Sequence, residues 1–203
     1  MRQLYYFNGF NSAIPDTIEP GSKLDETRQF CAREGLEFKP VSIDYRKATE
    51  QREEILDSLP RTLQTLVFTG TSMGGWFSRI MQISAVLPGR ETFAVAFNPV
   101  AWVEKMRTHE GAQYNFVTGE RYHWGPEDSR QLCRLEASVA FDTDLPFWVF
   151  CDKGDELIDW RESQRRFAPI ARFHAFEGGE HRFTHAREAW DIFAWDRSRG
   201  HEN

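Results

Sequence analysis

The chain has 203 residues, which is enough for one domain with a sizeable core and too short for two full domains. Lysine and arginine number 25 against 31 aspartate and glutamate residues, and the net charge of −6 opposes a general attraction to nucleic acid or to an anionic membrane surface. No apolar run approaches the roughly 18 residues of a membrane-spanning helix. The three cysteines are widely spaced and form neither a disulfide framework nor a zinc motif, which favours a reducing compartment. We therefore expect a cytoplasmic protein with a small-molecule partner, no nucleic-acid or membrane partner, and no metal.

Short apolar runs alternate along the chain with segments of helical period, a pattern typical of a mainly parallel sheet with helices on both faces. We predict a single α/β domain over residues 1–203 with about six strands. The predicted strands cover residues 3–7, 37–43, 65–69, 92–97, 147–151 and 172–176. The predicted helices cover residues 23–34, 50–58, 73–87, 160–167 and 185–195, and the third is expected to stop at Pro88-Gly89.

One segment breaks this alternation. Residues 99–144 contain no strong strand pattern, but they carry aromatic residues separated by charged ones. We interpret this segment as a small inserted cap. It lacks the long apolar stripe of a lipase lid, so we expect it to cover a small and partly polar pocket.

A nucleophile motif follows the third predicted strand. The stretch "GTSMGG" places Ser72 between Gly70 and Gly74, directly after an apolar run and directly before a predicted helix. This strand–turn–helix context is the one required by the G-x-S-x-G nucleophile elbow, in which glycines relieve a strained turn. A glycine-rich loop without a catalytic role is the alternative, so other residues must decide.

A serine nucleophile needs a histidine base and a carboxylate that orients it, in the chain order Ser, Asp or Glu, His for this motif. Asp152 and Asp155 follow the fifth predicted strand, and His181 follows the sixth. We prefer Asp155 as the acid, because it lies further into its loop than Asp152. Asp155 also suits a turn or a helix cap. His185 forms an H-x-x-x-H pair with His181, which is a weaker pattern for a metal site.

Acyl transfer also needs backbone N–H groups directed at the developing oxyanion. Met73, the residue after the nucleophile, is expected to supply one. The first strand ends in Asn8-Gly9-Phe10-Asn11, where the glycine allows the chain to turn, and Phe10 is expected to supply the second. A plain turn at Asn8-Gly9 is the alternative.

Several stretches are longer than these generic motifs: "YYFNGFNS", "GTSMGGW", "AFNP", "KGDELIDWRES" and "FEGGEHRFTH". Together they resemble the YqiA-like small esterases of the α/β-hydrolase superfamily over nearly the whole chain. The resemblance implies a Ser-Asp-His triad at Ser72, Asp155 and His181, an acyl-enzyme intermediate, hydrolysis of short acyl esters and no cofactor. Members of this family usually carry histidine where this chain has Asn8.

Other functions remain open at this stage. The stretches "YFNGF", "SIDY" and "GEHRFTH" also resemble methyl esterases that act on a pimeloyl-carrier-protein, and a methyl esterase or thioesterase acting on a carrier-protein or CoA substrate is one alternative. It requires a local basic patch, for which Lys105, Arg107 and Arg121 are candidates. A non-catalytic binding protein on a hydrolase scaffold is another.

The substrate pocket is predicted from aromatic and polar residues near these motifs. We expect contributions from Asn11 in the first loop, Trp76 after the elbow, and Tyr122 and Trp124 in the cap.

Overall fold

A parallel sheet forms the centre of the computed structural model, which describes residues 1–199. Six strands lie in the order β2-β1-β3-β4-β7-β8, while β5 and β6 form a separate antiparallel pair. All six predicted strands are confirmed, with ends that differ by two residues or fewer. The strands are β1 (Arg2–Phe7), β2 (Glu37–Val41), β3 (Thr65–Thr71), β4 (Glu91–Phe97), β5 (Gly111–Tyr114), β6 (Arg121–Trp124), β7 (Phe147–Asp152) and β8 (Arg172–Phe176).

Helices cover both faces of this sheet, because the buried central strands carry apolar side chains on both sides. Phe7 and Phe68 pack on one face against helix α3, whereas Tyr6 and Val67 pack on the other against α1 and α6. The helices are α1 (Lys23–Glu34), α2 (Ala48–Ser58), α3 (Met73–Ser84), α4 (Pro126–Ala137), α5 (Trp160–Phe167) and α6 (Ala186–Arg199).

Local signals fix several helix ends. Ser22 caps α1 by accepting the Asp25 N–H at 3.3 Å, and Gly35 ends it in the left-handed region at φ 63°. The prediction for α3 was three residues too long, since the helix ends at Ser84 rather than at Leu87. Leu87 precedes Pro88 and is therefore disfavoured in the α conformation, which keeps the helix from extending to it.

The cap segment, residues 99–144, lies between β4 and β7. It contains a 3-10 helix (Val103–His109), the β5–β6 hairpin and α4. The expectation that this segment has no strong strand missed the hairpin. Its strands have only four residues each, and they pair with each other rather than with the central sheet. Strands this short leave little alternating apolar signal in the sequence.

The sheet order reverses between β1 and β3. Strand β2 lies on one side of β1, and β3 lies on its other side. The connections that follow β1 and β3 therefore run in opposite directions across the sheet, so the loops after these two strands diverge. In parallel α/β sheets this arrangement opens a crevice at the carboxyl ends of the strands. The residues after β1 and β3 are Asn8 and Ser72.

In the part of the chain that the structure describes, no helix combines the length and apolar character needed to span a membrane.

Candidate active site

Ser72 lies at the turn between β3 and α3 in a strained backbone conformation, with φ 58° and ψ −120°. A non-glycine residue at positive φ is uncommon, and such strain clusters at functional sites. The Ser72 N–H donates to the carbonyl of Phe97 at 3.0 Å, and its own carbonyl accepts from Gly75 at 3.0 Å and from Val100 at 3.2 Å. These three contacts hold the residue between β4, α3 and the start of the cap.

The glycines around Ser72 are required by close backbone contacts. A Cβ atom on Gly74 would lie 2.3 Å from the Phe7 carbonyl oxygen, and one on Gly70 would lie 2.6 Å from the backbone of Gly74. Gly75 lets α3 approach β4, because its Cβ would lie 3.1 Å from that of Ala96. The steric role predicted for these glycines is confirmed. The turn therefore packs directly on the end of β1.

Asp155 and His181 are in direct contact. His181 Nδ1 lies 3.0 Å from both carboxylate oxygens of Asp155, whose side chain is 1% exposed. Asp155 Oδ1 also accepts the N–H groups of Leu157 at 2.8 Å and Ile158 at 2.9 Å. The carboxylate thus makes a turn contact as well as a histidine contact, so the two interpretations drawn from sequence are compatible.

The other aspartate, Asp152, holds the segment that carries His181 in place through hydrogen bonds. Its fully buried carboxylate accepts at Oδ2 from the backbone of Thr184 at 2.8 Å, from the Thr184 hydroxyl at 3.1 Å and from the backbone of Glu180 at 3.2 Å. Its Oδ1 lies 2.7 Å from Nδ1 of His185. His181 and His185 therefore contact different carboxylates rather than converging on one point.

Asn98 is a contact residue that the sequence reasoning missed. It follows β4 at φ 42°, and its amide donates to the carbonyl oxygens of Glu180 at 2.9 Å and His181 at 3.2 Å. Its Oδ1 accepts from the Asp152 backbone at 2.7 Å. The stretch "AFNP" contained it, but only the fold reveals that the side chain joins β4 to the His181 segment.

The Ser72 hydroxyl makes no hydrogen bond to any other residue within the described range 1–199. Ser72 and His181 are nevertheless held by adjacent residues of one strand end, since Phe97 binds the Ser72 backbone and Asn98 binds the His181 backbone. Contacts between a nucleophile and its base are often long without substrate and tighten in the complex.

The loop after β1 is fastened by Asn8, which is 4% exposed. The Asn8 amide donates to the carbonyl of Ser12 at 2.7 Å and that of Gly9 at 2.9 Å, while its oxygen accepts the Ile43 N–H at 2.6 Å. Tyr45 donates its hydroxyl to the Asn8 carbonyl at 2.6 Å. Asn8 therefore closes the loop on itself and joins it to the chain after β2, with both side-chain donor and acceptor in use.

Phe10 and Met73 lie in the two segments expected to supply oxyanion donors. Met73 is the first residue of α3, where a backbone N–H has no partner inside the helix. The Phe10 N–H donates to no backbone carbonyl in the described part of the chain. A Cβ on the intervening Gly9 would lie 3.9 Å from Ser72 Oγ, so the loop passes close to the serine hydroxyl.

The cap packs onto this loop through aromatic rings. The Phe10 ring lies 5.0 Å from that of Trp124 and 5.3 Å from that of His109. Asn11, at φ 56°, accepts the Tyr122 hydroxyl and donates to Gln113 at 2.8 Å. The hairpin and the loop after β1 therefore form one packed unit.

The four residues expected in the substrate pocket fall into two groups. Asn11 and Tyr122 line a cavity of about 190 Å³ beside the chain that follows β2. Trp76 and Trp124 are fully buried, and their indole N–H groups donate to Glu136 at 2.6 Å and to Ser129 at 2.9 Å. Both indoles are packed in the core, so they do not line the surface of the pocket in this conformation.

A partly polar cavity of about 310 Å³ lies between the cap and the loop after β7. Val100 and Ile158 both line it, and their N–H groups donate to the Ser72 carbonyl and the Asp155 carboxylate. The cavity thus borders both halves of the candidate site. Its lining combines an apolar part with a polar part: Val100, Ala101, Trp102, Met106, Leu157 and Ile158 on one hand, and Lys105, Thr108, His109, Asp159 and Glu162 on the other.

The cap bases form a weaker basic patch than the sequence suggested. Lys105 is paired with the Glu162 carboxylate on α5, at 2.5 Å and 2.6 Å to its two oxygens. Arg107 and Arg121 remain exposed on the cap.

Cysteine is an unsuitable nucleophile in this protein. Burial raises the pKa of Cys151 to about 12 and that of Cys31 to about 12, so both remain thiols at neutral pH. Burial also raises the pKa of Cys133.

A comparison with models of protein families identifies the family of this chain. The model of the family described as "Uncharacterised protein family (UPF0227)" matches residues 3–195. The chain belongs to the UPF0227 family. A comparison with curated proteins returns no match.

Solved structures resemble this UPF0227 protein over almost its whole length. Est1E from Butyrivibrio proteoclasticus aligns with a TM-score of 0.69 and 13% identity, covering 98% of this chain and 89% of Est1E. The esterase domain of a Rhodothermus marinus protein aligns with a TM-score of 0.64 and 13% identity, covering 97% and 87%. Mouse alpha/beta hydrolase domain-containing protein 10 aligns with a TM-score of 0.63 and 14% identity, covering 98% and 89%. These matches confirm the α/β-hydrolase fold. Together with the family match they confirm the resemblance to YqiA-like α/β hydrolases.

Proposed function

We propose that the protein is a serine ester hydrolase that cleaves short acyl esters through Ser72, His181 and Asp155. The contact between His181 Nδ1 and the buried Asp155 carboxylate carries this proposal, because it orients an imidazole on the loop beside a strained serine turn. A hydroxyl is a weak nucleophile unless such a base accepts its proton.

In the proposed first step, Ser72 Oγ attacks the ester carbonyl carbon and its proton passes to Nε2 of His181. Asp155 holds the Nδ1 proton and stabilises the resulting imidazolium. The negative charge on the carbonyl oxygen is stabilised by the N–H groups of Phe10 and Met73.

Collapse of the tetrahedral intermediate breaks the bond to the alcohol oxygen, which takes the proton from His181. The acyl group is then an ester of Ser72. Water attacks this acyl-enzyme with His181 as base again, and the acid leaves with Ser72 restored. No cofactor is needed at any step.

Labelling with a fluorophosphonate tests this function and separates it from a non-catalytic binding protein. A reactive serine is phosphonylated, whereas a serine without a base is not. We expect mass spectrometry of the digested protein to locate the label on Ser72. Failure to label, or a label on another residue, would contradict the proposal.

The acyl group is proposed to occupy the apolar part of the cavity bordered by Val100 and Ile158, whose volume is about 310 Å³. This is at the lower end of ligand-binding cavities. Each methylene that finds apolar wall contributes about 0.8 kcal/mol, and further carbons gain nothing once the wall ends. We expect kcat/KM to rise over the first carbons and to peak at about two to six carbons.

A series of p-nitrophenyl esters from acetate to palmitate measures this length dependence. An optimum at about ten carbons or beyond would show that the cap opens to a larger pocket.

A further inference from the structure

A third cavity, of about 320 Å³, borders the candidate site at the loop after β1. Asn8 and Gly9 form part of its lining, together with residues 12–15 and the start of α1. A Cβ atom on Gly9 would lie 3.4 Å from the Ser72 Cβ. The cavity therefore lies one residue away from the proposed nucleophile, and it does not share lining residues with the cavity under the cap.

Two cations line this cavity. Arg182 directly follows His181, and the half-buried Lys23 donates from Nζ to the Arg182 carbonyl at 2.7 Å. Neither side chain forms an ion pair with a carboxylate among residues 1–199, although the protein carries a net charge of −6. Two N–H groups of the Lys23 ammonium and the whole Arg182 guanidinium remain available to an acceptor.

The charge environment of Lys23 also favours the binding of an anion. Burial, together with the neighbouring Arg182 charge, lowers the pKa of Lys23 to about 8, while Glu180 acts in the opposite sense. Lys23 is half-buried and Arg182 is exposed, and the repulsion between these like charges is relieved when an anion binds to both.

The two cations Lys23 and Arg182 are accompanied by one carboxylate in the lining, Glu19, and by Glu180, which also acts on Lys23. Little positive charge is left over, which suits a singly charged carboxylate better than a doubly charged phosphate. The guanidinium fork also matches a carboxylate in geometry.

We propose that this cavity binds a carboxylate on the alcohol part of the substrate, through Arg182 and Lys23. The inference rests on the proposed esterase function, in which the acyl part occupies the separate cavity under the cap. The substrate class is therefore short acyl esters of an alcohol that carries an ionised carboxylate.

The test compares 4-carboxyphenyl acetate with its neutral analogue 4-carbamoylphenyl acetate. For Arg182→Gln and Lys23→Gln, the ratio of kcat/KM for the anionic ester to that for the neutral ester should fall about ten-fold, since each change removes a charge-assisted hydrogen bond. Arg33→Gln is the matched control, because Arg33 lies near the other end of α1 and pairs with Asp191 at 3.0 Å. It should leave the ratio unchanged.

The ratio should also depend on pH in the wild-type protein. Lys23 is cationic below about 8 and neutral above, so the preference for the anionic ester should fall as pH rises through about 8. The charged groups facing Lys23 are Arg182 and the carboxylates Glu180 and Glu19. Lys23→Gln should remove this pH dependence.

The outcomes separate this inference from the proposed function. If the neutral ester is hydrolysed and Arg182→Gln leaves the ratio unchanged, the carboxylate site is refuted while the esterase function stands. If neither ester is hydrolysed, binding of 4-hydroxybenzoate and 4-hydroxybenzamide measured by calorimetry decides. Tighter binding of the benzoate that Arg182→Gln weakens supports the site, and equal binding of the two refutes it.

Discussion

Ser72→Ala is expected to lower kcat for ester hydrolysis by at least about a thousand-fold, because alanine has no oxygen to attack the ester carbonyl. Any residual rate would come from substrate binding and from the N–H groups of Phe10 and Met73. The measurement is steady-state kinetics with a short p-nitrophenyl ester. Wild-type activity in the alanine variant would overturn the proposed mechanism.

The same variant should remain folded. The Ser72 hydroxyl makes no hydrogen bond within residues 1–199, and the strained backbone at φ 58° already carries a Cβ atom. We expect the free energy of unfolding to change by no more than about 0.5 kcal/mol, measured with urea. Ser84→Ala, at the other end of α3, is the matched control and should keep full activity.

The second large effect is expected at the two aspartates after β7, where the same substitution should have different consequences. Asp155→Asn should lower kcat by about 10⁴-fold, because an amide in place of the carboxylate favours the wrong imidazole tautomer of His181. It should cost little stability, since the amide oxygen can still accept from Leu157 and Ile158.

Asp152→Asn should instead act mainly on stability. The buried carboxylate of Asp152 accepts from Glu180, Thr184 and His185, and the neutral amide loses the charge-assisted part of these bonds. We expect a loss of about 1–3 kcal/mol in the free energy of unfolding, with a smaller fall in kcat than for Asp155→Asn. If Asp152→Asn lowered kcat more than Asp155→Asn, the acid role would belong to Asp152.

Local sequence patterns predicted most of the fold. The six strands of the sheet follow from apolar runs bounded by polar or turn residues, and α1 and α5 begin and end where their capping residues indicate. These signals act within a few residues, so they can be read without the tertiary structure. The end of α3 and the short hairpin of the cap were missed because their local signals are weak. Helix α4 was also missed, although Pro126 at its first position and the buried Leu132 and Leu135 three residues apart are helix signals.

For the candidate site, too, the sequence predicted the residues, whereas the tertiary structure decided the contact between them. Ser72 was found through the glycines on either side of it, and His181 and Asp155 through their positions after the later strands. The contact between His181 and Asp155 joins residues 26 apart in sequence, and only the packing of β7 beside β8 decides that it forms.

The tertiary structure alone decided which polar groups hold the site in place. Asp152, Asn98 and Asn8 are each buried, and their partners come from other strands or loops: Asp152 binds the segment after β8, Asn98 the His181 backbone, and Asn8 the chain after β2. It also placed Trp76 and Trp124 in the core rather than on the pocket surface, and Lys23 beside Arg182. Amino-acid type and spacing determine which polar groups are available near a strand end. Burial and long-range hydrogen bonds arise only when distant segments of the chain pack together, because each polar atom that becomes buried must then have a hydrogen-bond partner in one of those segments.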